Sequence, residues 1–192
     1  RTVTVRVDTS PPQLRVNTPA TLLSVPTVRL SGTLELDSRL VIRRSGAVLR
    51  ELDAATDSAF NVEVDLVEGV NVLEVAAVDQ VGNQVSRRFA VVFDTTAPAL
   101  ELLSPPVSTR DNAFTLRGMS EAAASVRVTS RQGVINAESY PDGSFSARVP
   151  LLEGSNDIIV QAADSAGNVS EEVFTIVQDT LAPQIVVTSP VG

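Results

Sequence analysis

The sequence predicts an all-β chain in which one small two-layer sandwich recurs along the polypeptide, like beads on a string. Two observations carry this: a signature that returns on a fixed period, and apolar residues that alternate with a period of two. The signature is Asp-Thr-x-x-Pro, at Asp8 to Pro12, Asp94 to Pro98 and Asp179 to Pro183, spaced 86 and then 85 residues apart. A fixed period means one structural unit used repeatedly. This period is too long for a solenoid turn and suits a small all-β domain. Phe60, Gly69, Asn71, Asp79, Gly82, Asn83 and Phe89 each reappear 85 residues later. Leu30-Ser31-Gly32 aligns with Leu116-Arg117-Gly118 at an offset of 86, so one residue is gained or lost between Gly32 and Phe60. Loops around a middle strand tolerate such a change.

The strands follow in order. In the first repeat Leu14 and Val16 mark the first strand, then Val28, Leu30 and Gly32, then Leu40 and Ile42. Phe60, Val62, Val64 and Leu66 form the next, followed by Leu73, Val75 and Ala77, and last Phe89, Val91 and Phe93. The second repeat answers with Leu100/Leu102, Phe114/Leu116/Gly118, Val126/Val128, Phe145/Ala147/Val149/Leu151, Ile158/Val160/Ala162 and Phe174/Ile176. No useful stretch shows the helical period of 3.6. About seven short strands per repeat, divided by turn residues, read as an immunoglobulin-like β-sandwich. Ser104-Pro105-Pro106, Asn17-Thr18-Pro19 and Ser189-Pro190 follow each first strand and are expected to make it switch sheets or end as a protected edge. The division expected is residues 1–8 as the last strand of a preceding repeat, 9–96 and 97–181 as two complete repeats, and 182–192 as the first strand of a following one. The segment thus reads as a window on a longer array, with orphan end strands at Thr2 to Val7 and Ile185 to Thr188.

Composition removes much chemistry. The chain has no cysteine and no histidine, and all 15 basic residues are arginine. No Ser-His-Asp, Cys-His or Ser-Lys nucleophile can be assembled, nor a histidine-ligated zinc or iron site. The chain is therefore expected not to be an enzyme. A net charge of −8 opposes nucleic acid and anionic membrane surfaces. There is no tryptophan and one tyrosine, Tyr140, while all six phenylalanines fall on core-facing positions. A sugar-stacking platform has almost nothing to be made from.

The short motifs carry the next step. Asp79-Gln80-Val81-Gly82-Asn83 and Asp164 to Asn168 are turn signals, with glycine for positive φ and aspartate for an Asx-turn. Tyr140-Pro141-Asp142-Gly143-Ser144 is another turn. Arg43-Arg44 and Arg87-Arg88 read as solvated surface charge. Sandwich topology brings the loop before the last strand to the end where the chain comes in. Asp94, Asp164, Glu68 and Glu121 are then expected to converge at one repeat junction, and Asp8, Asp79 and Glu35 at the preceding one. Carboxylates joined by backbone carbonyls suit Ca²⁺, a hard cation taking six to eight oxygens.

The run Glu153-Gly154-Ser155-Asn156, then Asp164-Ser165-Ala166-Gly167-Asn168, then Asp179-Thr180-Leu181-Ala182-Pro183 resembles the bacterial immunoglobulin-like repeats of large secreted and surface proteins. It is also similar to the accessory β-domain named after glucodextranase. The resemblance implies an extracellular or cell-surface spacer or display module, such as an adhesin stalk, filament or coat. An accessory domain of a secreted carbohydrate-active enzyme is the alternative, as is a filament subunit assembling by strand donation. The partners expected are neighbouring repeats of the same or an identical chain, without nucleic acid or membrane insertion.

Overall fold

Along the strand Ala59–Asp65, Phe60, Val62 and Val64 are buried while Ala59, Asn61, Glu63 and Asp65 face solvent. That two-residue period is what a half-buried strand requires, and most of the chain follows it. The computed structural model describes residue 3 and residues 7–53 and 57–186. The chain divides into two units, Arg1–Thr95 and Thr96–Gly192, each with its own core.

In the first unit the strands are β1 (Leu14–Val16), β2 (Leu22–Leu23), β3 (Thr27–Leu34), β4 (Arg39–Arg44), β5 (Ala47–Asp53), β6 (Ala59–Asp65), β7 (Gly69–Val78) and β8 (Gln84–Phe93). One sheet has the order β1-β3-β6 and the other β2-β8-β7-β4-β5. Between them lie Leu30, Ile42, Leu73, Val75 and Val91, all fully buried. Each such side chain contributes about 1.5–3 kcal/mol by leaving water.

The second unit repeats the plan with β9 (Leu100–Leu102), β10 (Ser108–Thr109), β11 (Ala113–Ser120), β12 (Ser125–Ser130), β13 (Gly133–Asn136), β14 (Glu138–Ser139), β15 (Ser144–Pro150), β16 (Gly154–Ala163) and β17 (Val169–Gln178). Its sheets run β14-β15-β11-β9 and β10-β17-β16-β12-β13. Leu116, Val128, Val149, Ile158, Val160 and Ile176 fill the core. All six phenylalanines lie in or against the two cores.

The proline segments do make the first strand change sheets. β1 pairs antiparallel with β3, whereas β2, beyond Asn17-Thr18-Pro19, pairs parallel with β8 in the opposite sheet. β9 and β10 repeat this across Ser104-Pro105-Pro106. Proline has no N–H to give a ladder, so pairing on the first sheet ends there. Ser189-Pro190 lies outside the described residues. So do Thr2, Thr4 to Arg6, Thr188 and Val187 of the expected end strands; Val7, Ile185 and Val186 are exposed and carry no regular structure.

The one-residue difference between the repeats falls where the units diverge. β5 stays on β4 as far as Asp53, which faces Arg39. In the second unit β13 stops at Asn136, and the chain crosses to pair β14 with β15.

Candidate functional site

The polar residues that recur on the long period gather at the two ends of each sandwich, where the chain comes in and goes out. At the outgoing end, Glu68 precedes β7 in a bend and Gly69-Val70-Asn71 open the strand. Asn71 is fully buried. Its Oδ1 accepts from the Val67 N–H at 3.0 Å, and its Nδ2 donates to the Val67 and Gly69 carbonyls at 2.7 and 3.0 Å. One amide thus satisfies three backbone groups that the bend would otherwise leave unpaired. Asn156 does the same in the second unit, with Leu152 N–H at 2.8 Å and the Leu152 and Gly154 carbonyls at 2.7 and 2.9 Å.

The bend so fixed aims a glutamate at the departing chain. Glu68 Oε1 accepts from Thr95 N–H at 3.2 Å and its Oε2 from Thr95 Oγ1 at 3.0 Å. Glu153 holds Thr180 alike, at 3.2 Å from the N–H and 2.7 Å from the hydroxyl. Both carboxylate oxygens are engaged by one threonine, across 27 residues of sequence in each case. The Glu-Gly-x-Asn and Asp-Thr motifs are therefore the two halves of one clamp.

At the incoming end lies the turn between the last two strands. Asp79 Oδ1 accepts from the N–H groups of Val81 and Asn83 at 3.0 and 2.8 Å, and its Oδ2 from Asn83 Nδ2 at 2.8 Å. Gly82 sits at φ +97°, which a side chain would strain. Asn83 Nδ2 also donates to the Asp8 carbonyl at 3.2 Å, tying the incoming chain to the turn. In the second unit Asp164 accepts from Gly167 N–H at 2.7 Å, Asn168 N–H at 2.9 Å and Asn168 Nδ2 at 2.9 Å. There the Ser170 hydroxyl donates to the Pro98 carbonyl.

These donors set the electrostatics. At Asp79 partial burial is the largest single influence and pushes the carboxyl up. The Asn83 side chain and the N–H groups of Asn83, Gly82 and Val81 together outweigh it, so the pKa falls below the usual aspartate value. At Asp164 the Asn168 side chain dominates and the direction is the same. Asp142, in the Tyr140 to Ser144 turn, is also lowered, chiefly by the Ser144 hydroxyl and N–H.

The carboxylates expected as calcium ligands are placed as follows. Glu68 clamps Thr95, and Asp79 and Asp164 organise their turns. Asp8 Oδ1 accepts from Ser10 N–H at 3.0 Å, and Glu35 Oε2 from Gln13 N–H at 3.0 Å. Glu121 offers its carbonyl to Ala124 N–H. Asp94 gives its N–H to the Leu23 carbonyl at 2.9 Å. Among the described residues of either unit, no three carboxylates converge closely enough to hold an ion. Within the first unit, Asn83 links the Asp79 carboxylate to the Asp8 carbonyl, while the Glu35 carboxylate takes the Gln13 N–H. Sequence reasoning missed the clamp, although the constant 27-residue interval from glutamate to threonine was there to find.

Grooves on the surface are shallow. One of about 470 Å³ is lined by Asp37, Arg39, Asp53 and Asp79. Another of about 260 Å³ touches Leu34, Leu40, Leu52 and Phe60.

Residues 98–180 match the family model described as glucodextranase, domain B. Bacillopeptidase F of Bacillus subtilis (strain 168) is 32% identical over 123 residues, 62% of this chain, and the chain spans 8% of that protein's length. Among solved structures, the fibronectin(III)-like modules of Clostridium thermocellum CbhA share 14% identity, cover 92% of this chain and 100% of their own, and superpose with a TM-score of 0.56. That likeness is one of fold. The chain is a tandem of immunoglobulin-like β-sandwich units, its second unit matching the glucodextranase domain B model.

Proposed function

We propose that this chain is a non-catalytic spacer in a larger secreted or surface-attached bacterial protein, holding other parts apart. The observation that carries this reading is where the recurring residues act. Glutamate, asparagine, aspartate and threonine of the repeated motifs hold the polypeptide at the ends of each sandwich; Asp79 alone of them lines the groove beside Arg39, and they do not gather there. A binding or catalytic module concentrates its distinctive polar groups in one concave site. Here they are distributed to the points where one unit hands the chain to the next.

A second reading is an accessory domain of a secreted enzyme. It is favoured by the family match, whose printed name is a domain of glucodextranase, and by the match to a small part of a bacterial peptidase. Electrophoresis in gels containing α-glucans separates the two. Unchanged mobility supports the spacer, and retardation in proportion to polysaccharide supports the accessory domain.

Calcium at the junctions is proposed on sequence grounds, through Asp94, Asp164, Glu68 and Glu121. Heat on calorimetric titration together with a raised melting temperature supports it. Silence in both removes it.

A further inference from the structure

Positions at which the two units differ show where one of them carries groups that the fold does not need. Both units have a groove at the same place, beside the turn that leads into β4 in the first and β12 in the second. The first groove, of about 470 Å³, is lined by Asp37, Ser38, Arg39 and Asp53, with Asp79 and Gln80 at its side. The second, of about 370 Å³, has Ala123, Ala124 and Ser125 at the matching positions. The backbone is the same in both. Asp37 and Ala123 take φ values of +60° and +68°. Each turn is closed by one bond, from Ser38 N–H to the Glu35 carbonyl or from Ala124 N–H to the Glu121 carbonyl. Two alanines therefore suffice to build the turn, and the polar groups of Asp37 and Ser38 are surplus to it.

Ser38 is 3% exposed, and its hydroxyl has no hydrogen-bond partner among the described residues. None of their fully buried side-chain oxygens is unpaired, so this hydroxyl opens onto the groove. Burying a hydroxyl without a protein partner costs free energy that alanine does not. Around it, the groups with unused capacity are acceptors. The carboxylates of Asp37 and Asp53 take no hydrogen bond or ion pair from the described residues. Asp53 stands there because β5 stays on β4 long enough to face Arg39, whereas β13 stops short of Ser125. Arg39 itself is drawn to Glu51, at 3.7 Å. Asp79 is already filled by the donors of its own turn. With Asp37, Asp53, Asp79 and Glu51 set against Arg39, the groove is negative.

We propose that this groove receives an arginine side chain of a partner polypeptide. A guanidinium group is a fork of N–H donors with no acceptor, which matches open groups that are two carboxylates and a hydroxyl. Ca²⁺ takes six to eight oxygens, and among the described residues no three carboxylates converge. An anion is repelled, and a neutral sugar gains nothing from the excess negative charge. The site adds docking to spacing, and it stands whether or not the spacer reading holds.

The test is a titration of the full chain, followed through assigned amide NMR signals, with N-acetyl-argininamide as the probe. Signals of Asp37 to Leu40, Asp53 and Val78 to Gln80 are expected to move together and saturate. Those of Ala123 to Ser125 are expected to stay still, which makes the second unit an internal blank. The neutral isostere N-acetyl-citrullinamide is expected to bind at least about fivefold more weakly. Asp37→Ala with Ser38→Ala copies the second unit's turn, so its folding has a precedent in the same chain, and it is expected to lose a similar factor. Arg39→Ser, again the second unit's residue, removes a competing positive charge and is expected to leave the affinity unchanged or raise it. The proposal is overturned by the absence of saturable shifts, by shifts scattered over the whole acidic surface, or by equal binding of the citrulline analogue. Wild-type affinity in the double variant, or weakening by Arg39→Ser, overturns it as well.

Discussion

At the scale of single residues, the two buried asparagines do more than their abundance suggests. Asn71→Ala removes the partner of one N–H and two carbonyls in a closed bend. Each buried backbone group left unpaired costs about 1–3 kcal/mol, though water entering the gap recovers part of this. A loss of about 2–4 kcal/mol in urea unfolding is expected, and the same for Asn156→Ala. The turn aspartates give a pH signature. Asp79 and Asp164 both have folded-state values below the ordinary 3.8. As pH falls, the unfolded chain takes up protons first. The stabilisation they supply is thus complete above the unfolded value and disappears as pH drops through the folded one. Stability should decline below about pH 4, and Asp79→Asn with Asp164→Asn should flatten that decline in melting temperatures measured from pH 2 to 6. An unchanged acid slope would show that other carboxylates govern it.

At the scale of elements, the Leu-x-Gly motif marks where a first strand crosses a phenylalanine. A methyl group on Gly118 would collide with the Phe145 ring and come within 2.5 Å of the Glu101 carbonyl on β9; on Gly32 it would collide with the Arg15 carbonyl and sit 2.9 Å from the Phe60 ring. Gly118→Ala is expected to destabilise by about 1–3 kcal/mol, read from the denaturant midpoint, by forcing β9 off β11 or Phe145 out of its well. Most strands were legible from period-two alternation, because burying one face of a sheet leaves that trace in sequence. β5 was not, since it is an edge strand with Val48, Arg50, Glu51 and Leu52 all exposed. β14 is only two residues long and leaves no period to read. The Asp79 and Asp164 turns were legible because a local hydrogen-bond pattern needs adjacent residue types. The clamp joins residues on separate strands, and composition alone does not say which carboxylate meets which threonine. Sequence reading accordingly gave Glu68 only as a cation ligand and did not find its hold on the Thr95 side chain and amide of its own unit.

At the scale of the whole chain, two cores imply two cooperative transitions. Asn71→Ala should therefore split the calorimetric trace, moving the component of the unit Arg1–Thr95 downward and leaving the other in place. A single peak displaced as a whole would mean that the two units melt as one. The position of the clamp also bears on how such repeats are cut and rejoined. Because Glu68 and Thr95 belong to one unit, a module excised after Asp94 abandons its own fastener, and the glutamate is left facing a foreign residue. In-register recombination between copies restores the fastener, because a threonine stands at the same point of each, whereas fusion of a module cut after Asp94 to an unrelated sequence loses it.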